Sequence, residues 1–173
     1  MAGTRSIAQT SVTLATTTSP SAGQPGIHNI SLTGSGFPTG TIPPANVLVS
    51  LQPAAGGAAS TAVPSAVATV IGSTRRVTFQ IPTNIAVSTP TDYIVSVSGT
   101  TSSGVSFVTG RTSTLMVNPP PVITSLTPSA VAAATSVSIA IATQYTNFVQ
   151  GATMASFGAG ISVGGYPKAI SGR

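Results

Sequence analysis

Residues 74–81 read Thr74-Arg75-Arg76-Val77-Thr78-Phe79-Gln80-Ile81. From Val77 onward every second residue is apolar, and Arg76, Thr78 and Gln80 fill the alternate places. A period of two puts Val77, Phe79 and Ile81 on one face of a strand and the polar set on the other. The pattern recurs in both directions along the chain. Thr10 to Thr16 puts Val12 and Leu14 on one face, and Ile27 to Gly34 does the same with Ile30 and Leu32. Asn46 to Leu51 aligns Val47, Val49 and Leu51, and Asp92 to Ser98 turns Tyr93, Val95 and Val97 inward. Val67 to Ile71 reads as a short edge strand, and Val105 to Val108 and Thr112 to Asn118 complete the set. Turn clusters separate them: Ser19-Pro20-Ser21-Ala22-Gly23, Phe37-Pro38-Thr39-Gly40, Thr89-Pro90-Thr91-Asp92 and Gly99-Thr100-Thr101. Gly56, Gly57 and Pro64 make the stretch from Ala54 to Ala68 a loop or an irregular edge. Roughly seven or eight short strands in about 110 residues is the spacing of an immunoglobulin-like β-sandwich.

Composition agrees with an all-β chain. Glu, Lys, Arg, Leu and Met are scarce, whereas Ser, Thr, Val, Gly and Pro dominate, and these favour strands and turns. Hydrophobic residues make up 41% of the 173 positions. Mean hydropathy is +0.43. Disordered chains are poor in apolar residues and rich in charge, the reverse of what is seen. No apolar run approaches the ~18 residues that a membrane span needs.

Only 4% of the residues are charged: six Lys or Arg against a single acid, Asp92, and one His, His28. No carboxylate pair exists for acid/base chemistry. There is no Cys, and no cluster of ligands for zinc or calcium. A Ser-His-Asp triad has only His28 and Asp92 to draw on. These counts argue against an enzyme and against any cofactor. The net charge of +5 arises from missing acids rather than abundant bases, so the footprint for nucleic acid is thin. Residues 1–22 hold one Arg and no apolar h-region, so no leader is expected there.

Pro119-Pro120-Pro121 marks a boundary, because three prolines make a stiff extended spacer and cannot sit in a central strand. Beyond it the pattern restarts. Pro20-Ser21-Ala22 recurs as Pro128-Ser129-Ala130, each followed by an alternating strand, Ile30 to Thr33 and Val137 to Ile141, and then by Phe37 and Phe148. The Pro-to-Phe interval is 37 − 20 = 17 in the first copy and 148 − 128 = 20 in the second. The organisation expected is an N-terminal arm over 1–10 and a sandwich over 11–118. A linker over 119–121 and an incomplete second sandwich repeat over 122–173 follow. The second copy is expected to supply strands Val122 to Leu126, Thr135 to Ala142, Thr153 to Phe157 and Ile161 to Val163.

Two stretches carry a family resemblance. Ile30-Ser31-Leu32-Thr33-Gly34-Ser35-Gly36-Phe37 resembles the "ITGSGF" core of bacterial immunoglobulin-like repeats of the IPT/TIG-like kind. The run from Phe148 to Val163 resembles the "NFVQGxTxxSFGxGIxV" signature of tandem repeats in very large secreted or surface proteins of soil bacteria. The resemblance implies a β-sandwich, an extracellular or cell-surface setting, and a structural or adhesive role. It implies no catalytic residues and no cofactor.

Individual residues read mostly as structure. Tyr93, at the start of a late strand, suits a tyrosine-corner anchor whose hydroxyl bonds back to the backbone. Asp92 suits a turn, and His28 a surface position. Of Arg75 and Arg76, one should flank the core rim and the other face solvent. The five Phe residues suit the core better than a sugar-stacking platform. Lys168 is the only lysine, and no acid near it in sequence suggests an intramolecular crosslink.

A half-sandwich cannot bury its inner face, so the second copy requires a covering partner. The leading expectation is a non-enzymatic structural protein that assembles with copies of itself by β-strand complementation into a fibre or surface layer. Tyr93, Phe148, Phe157, Ile161 and Val163 are its assembly and structural residues. The alternative is an adhesin or polysaccharide-binding module of a larger surface protein, and a viral coat protein ranks below both.

Overall fold

A computed structural model describes residues 9–146, 153–157 and 159–164. Among them run twelve β-strands, and the helical content is one 3-10 turn, Pro44–Asn46. The chain divides into two compact units, the first ending at Pro120 and the second beginning at Pro121.

The first unit holds β1 (Thr10–Leu14), β2 (Thr17–Gly23), β3 (Asn29–Ser35), β4 (Val47–Pro53), β5 (Ser60–Ala62), β6 (Ala66–Ile71), β7 (Thr74–Gln80), β8 (Thr91–Thr100), β9 (Ser106–Arg111) and β10 (Ser113–Val117). Strands β3, β7 and β6 pair antiparallel as one layer. Strands β5, β4 and β8 pair as the other, and β8 continues into a hairpin with β9 and β10. The first two strands join the layers along one side. They run antiparallel to β3 and parallel to β9 and β10. Among the described residues the opposite side keeps two free edges, β5 and β6. This is an all-β sandwich with the strand arrangement of the immunoglobulin-like type.

The alternating residues meet between the layers. Val12, Leu14, Ile30, Leu32, Val77 and Phe79 from one side and Val47, Val49, Leu51, Val95, Val97 and Leu115 from the other are all buried in one core. Phe107 on β9 packs edge-on against Phe37, with ring centroids 5.3 Å apart. Fully burying a side chain of this size stabilises by about 1.5–3 kcal/mol before entropy is counted.

Several expectations are corrected. Ser19-Pro20-Ser21-Ala22-Gly23, read as a turn, lies within β2. Proline is tolerated there because β2 touches β3 only at Ser19 and returns to the ladder with β10 at Ala22 and Gly23. The stretch from Ala54 to Ala68, read as a loop or an irregular edge, holds a loop, the edge strand β5 and the start of the edge strand β6. Arg75 and Arg76 divide as expected: Arg75 is buried and Arg76 exposed.

The second unit has two strands among its described residues, β11 (Val122–Thr127) and β12 (Ala140–Gln144), paired antiparallel. The strand expected over Thr135 to Ala142 begins only at Ala140. No strand forms over Thr153 to Phe157 or Ile161 to Val163.

Candidate assembly surface

The pair β11–β12 reproduces the pair that β2 makes with β3. In the first unit the residue before Pro20 faces Ser31, and in the second the residue before Pro128 faces Ala140. Both X-Pro bonds are cis. Five residues beyond the facing position the backbone turns left-handed in each copy, at Gly36 (φ 81°) and at Tyr145 (φ 58°). Gly36 takes this conformation freely, whereas Tyr145 takes it against the usual preference of a side chain with a Cβ.

Matched this way, Ile139 and Ile141 stand where Ile30 and Leu32 stand in the first unit. Ile30 and Leu32 are 0% exposed. Ile139 and Ile141 are only half-buried. A register shift between Ile123 and Ser125 brings Ile123 opposite Thr143, while Leu126 sits opposite Ile141. Directly opposed residues share a face, so Ile123, Leu126, Ile139 and Ile141 line one side of the pair. Ile123 is 63% exposed and Leu126 39%. Val122, Ser125, Thr127, Ala140, Ala142 and Gln144 occupy the other side, and Thr143 shares the side of Ile123 and Ile141. The result is a ribbon with its larger aliphatic side chains on one side, which no further strand covers among the described residues.

The sequence points to different residues for this role. Phe148 lies outside the described residues. Phe157 is half-buried, and Ile161 and Val163 are exposed, all in non-strand backbone of the second unit. Tyr93 is buried in the core of the first unit. Its side chain makes no hydrogen bond to another described residue, so the tyrosine-corner bond is missing. Ile123 and Leu126 were not singled out because strict alternation separates them. Only the bulge between them places both on one side.

The rarer chemical groups are dispersed. His28 accepts a hydrogen bond from the backbone N–H of Gln24 (3.0 Å), closing the turn before β3. The Gln24 side chain is buried and donates to the Pro119 carbonyl (2.9 Å). Asp92 is exposed, and its carboxylate bonds no described residue. The turn ahead of it is closed instead by Thr91, whose hydroxyl donates to the Thr89 carbonyl (2.9 Å). Arg75 donates to the carbonyls of Gly72 (2.8 Å) and Gly40 (3.4 Å). Among the described residues no three His, Cys, Asp or Glu side chains cluster, and no helix is long and apolar enough to cross a membrane. A cleft of about 330 Å³ opens between Pro25, Ile27, Ile85, Val87 and Pro120. Its walls are mostly apolar, with Gln24 and Thr83 as the polar members, and carry no titratable group. Compared with family models and with curated proteins, the chain matches none.

Proposed function

We propose that this chain is a non-enzymatic structural protein, extracellular or at a cell surface, that assembles with copies of itself by strand complementation into a fibre or surface layer. One observation carries the reading. The ribbon β11–β12 repeats the first strand pair of the sandwich, yet Ile139 and Ile141 are only half-buried where Ile30 and Leu32 are sealed, and Ile123 and Leu126 on the facing strand are exposed. A two-stranded ribbon with one apolar side is marginal in water, and strands from another copy would supply the missing layer. Such a contact is head-to-tail, and head-to-tail contacts that do not close extend into filaments. Scarcity of charge favours it, because few ions need desolvating where copies meet.

Sedimentation velocity and electron microscopy of the full chain test the proposal. Polymers are expected for the parent and shorter species for Leu126→Ser combined with Ile141→Ser. A parent chain that stays monomeric at every attainable concentration overturns it. The alternative, a polysaccharide-binding accessory module, predicts a monomer whose glycan binding is lost in Tyr145→Ala. Arg75 offers that reading little, since its guanidinium is buried and already bonded to two carbonyls.

A further inference from the structure

Histidine is the side chain that changes charge between about pH 5 and 8. This chain has one, His28, and no cysteine. His28 is half-buried, between the turn after β2 and the start of β3. Its Nδ1 accepts the backbone N–H of Gln24 at 3.0 Å. An imidazole nitrogen accepts a hydrogen bond only while it carries no proton. Gln24 is buried, and its side chain donates to the carbonyl of Pro119, 95 residues along the chain, at 2.9 Å. Beside this bond the Asn118 N–H donates to the Gly23 carbonyl (2.8 Å). The two bonds fasten residues 118–119, past the end of β10, to the turn. The middle of the turn is held separately, from β7 and the residue after it. There the Gly26 N–H donates to the Ile81 carbonyl (2.8 Å), and the Gln80 side chain donates to the Gly26 carbonyl (3.0 Å). His28 therefore bears on the Gln24 end of the turn and not on its middle.

We propose that His28 is a proton-operated latch on the end of the first unit. Neutral, it holds Gln24 against Pro119; protonated, it releases Gln24, and the Pro119-Pro120 segment loosens. Protonation puts a hydrogen on Nδ1, so two N–H donors face each other across a 3.0 Å gap and must part. A shift of Gln24 by about 1 Å then takes its side-chain amide beyond hydrogen-bond range of the Pro119 carbonyl. A buried carbonyl deprived of its donor is drawn towards water. Among the described residues no counter-charge holds the imidazolium in place. β2, β3, β10, residues 24–27 and residues 81–87 carry no titratable side chain other than His28's own. On β7, Arg75 and Arg76 stand at the far end, opposite Gly34 and Thr33. On β8, Asp92 is exposed and Tyr93 points into the core. They pair with Met116 and Leu115 of β10, and β10 lies between them and β2.

The latch uses only the first unit, so it stands or falls independently of the β11–β12 reading. Amide hydrogen exchange of the dilute full chain tests it, read by NMR from about pH 8 to pH 5 and corrected for the intrinsic pH dependence of exchange. The ring protons of the single histidine report its charge in the same samples. As His28 gains its proton, protection of the Asn118 N–H should fall about tenfold, the scale of one lost hydrogen bond. Amides within β3 and β7 should keep theirs. His28→Asn supplies an acceptor that takes up no proton, so protection at Asn118 should not vary with pH. His28→Leu supplies no acceptor, so protection there should be low at both ends of the range. If His28→Leu fails to fold, the parent and His28→Asn decide. Constant protection at Asn118 while the His28 ring titrates overturns the proposal. So does an equal fall in His28→Asn, or a loss shared by β3 and β7, which would mean that the whole sandwich opens.

Discussion

Gly99 is a residue at which the sandwich has little room to spare. A Cβ built on it would lie 2.9 Å from the Phe107 ring and 3.1 Å from the Val47 Cα, and it would overlap the Asn46 carbonyl oxygen. Two of these three neighbours are backbone, so they cannot rotate away. Gly99→Ala should therefore destabilise the first unit by about 2–3 kcal/mol, the cost of overpacking without relief, read as a lower urea midpoint with an unchanged slope. The sequence places Gly99 in a turn cluster, whereas it lies inside β8 opposite Val47. Turn composition cannot distinguish a glycine needed for a bend from one needed for close approach, because both call for the absence of a side chain. Arg75 was easier to foresee. Its neighbour Val77 is two positions away on the inward face, so alternation is consistent with its burial, although the sequence leaves open which of Arg75 and Arg76 flanks the core. Its two carbonyl partners did not follow, since both lie in loops whose conformation no local pattern specifies.

At the scale of strands, legibility followed burial. β3, β4, β7 and β8 carry the core, so their alternation is complete and their inward residues were readable. β2 carries little of it. It has a proline, only Thr18 and Gly23 are buried, and its place comes from pairing with strands about a hundred residues away. The ribbon β11–β12 shows the converse, a pattern that is legible but not yet enclosed. This contrast makes a measurable prediction. Leu32→Ala should cost the first unit about 2–5 kcal/mol, the range for a buried aliphatic side chain. Ile141→Ala, at the matching place in the second copy, should cost the unassembled chain less than about 1 kcal/mol, because a half-exposed side chain has less burial to lose. Denaturant unfolding of dilute chain provides the comparison, and equal costs would mean that Ile141 is already enclosed.

At the scale of the whole molecule, charge would decide how copies meet in the proposed assembly. Six bases and one acid leave the chain at +5, and Asp92 cannot complement that excess on a partner of identical sequence. In the proposed assembly, contacts between copies would therefore consist of backbone hydrogen bonds and apolar surface, set against a weak overall repulsion. Opposite-sign interfaces loosen when salt is added, because screening removes their attraction. Here screening removes only the repulsion between two positive molecules. Self-association of the full chain should thus hold or tighten as sodium chloride rises from low to about physiological ionic strength, where the screening length falls to about 8 Å. Sodium sulfate at equal ionic strength should tighten it further, since excluded salts favour burial of apolar surface. Sedimentation velocity across the two salt series reads both trends. Dissociation by sodium chloride would mean that the copies are held by ion pairs, which a chain with a single acid has almost no means to form.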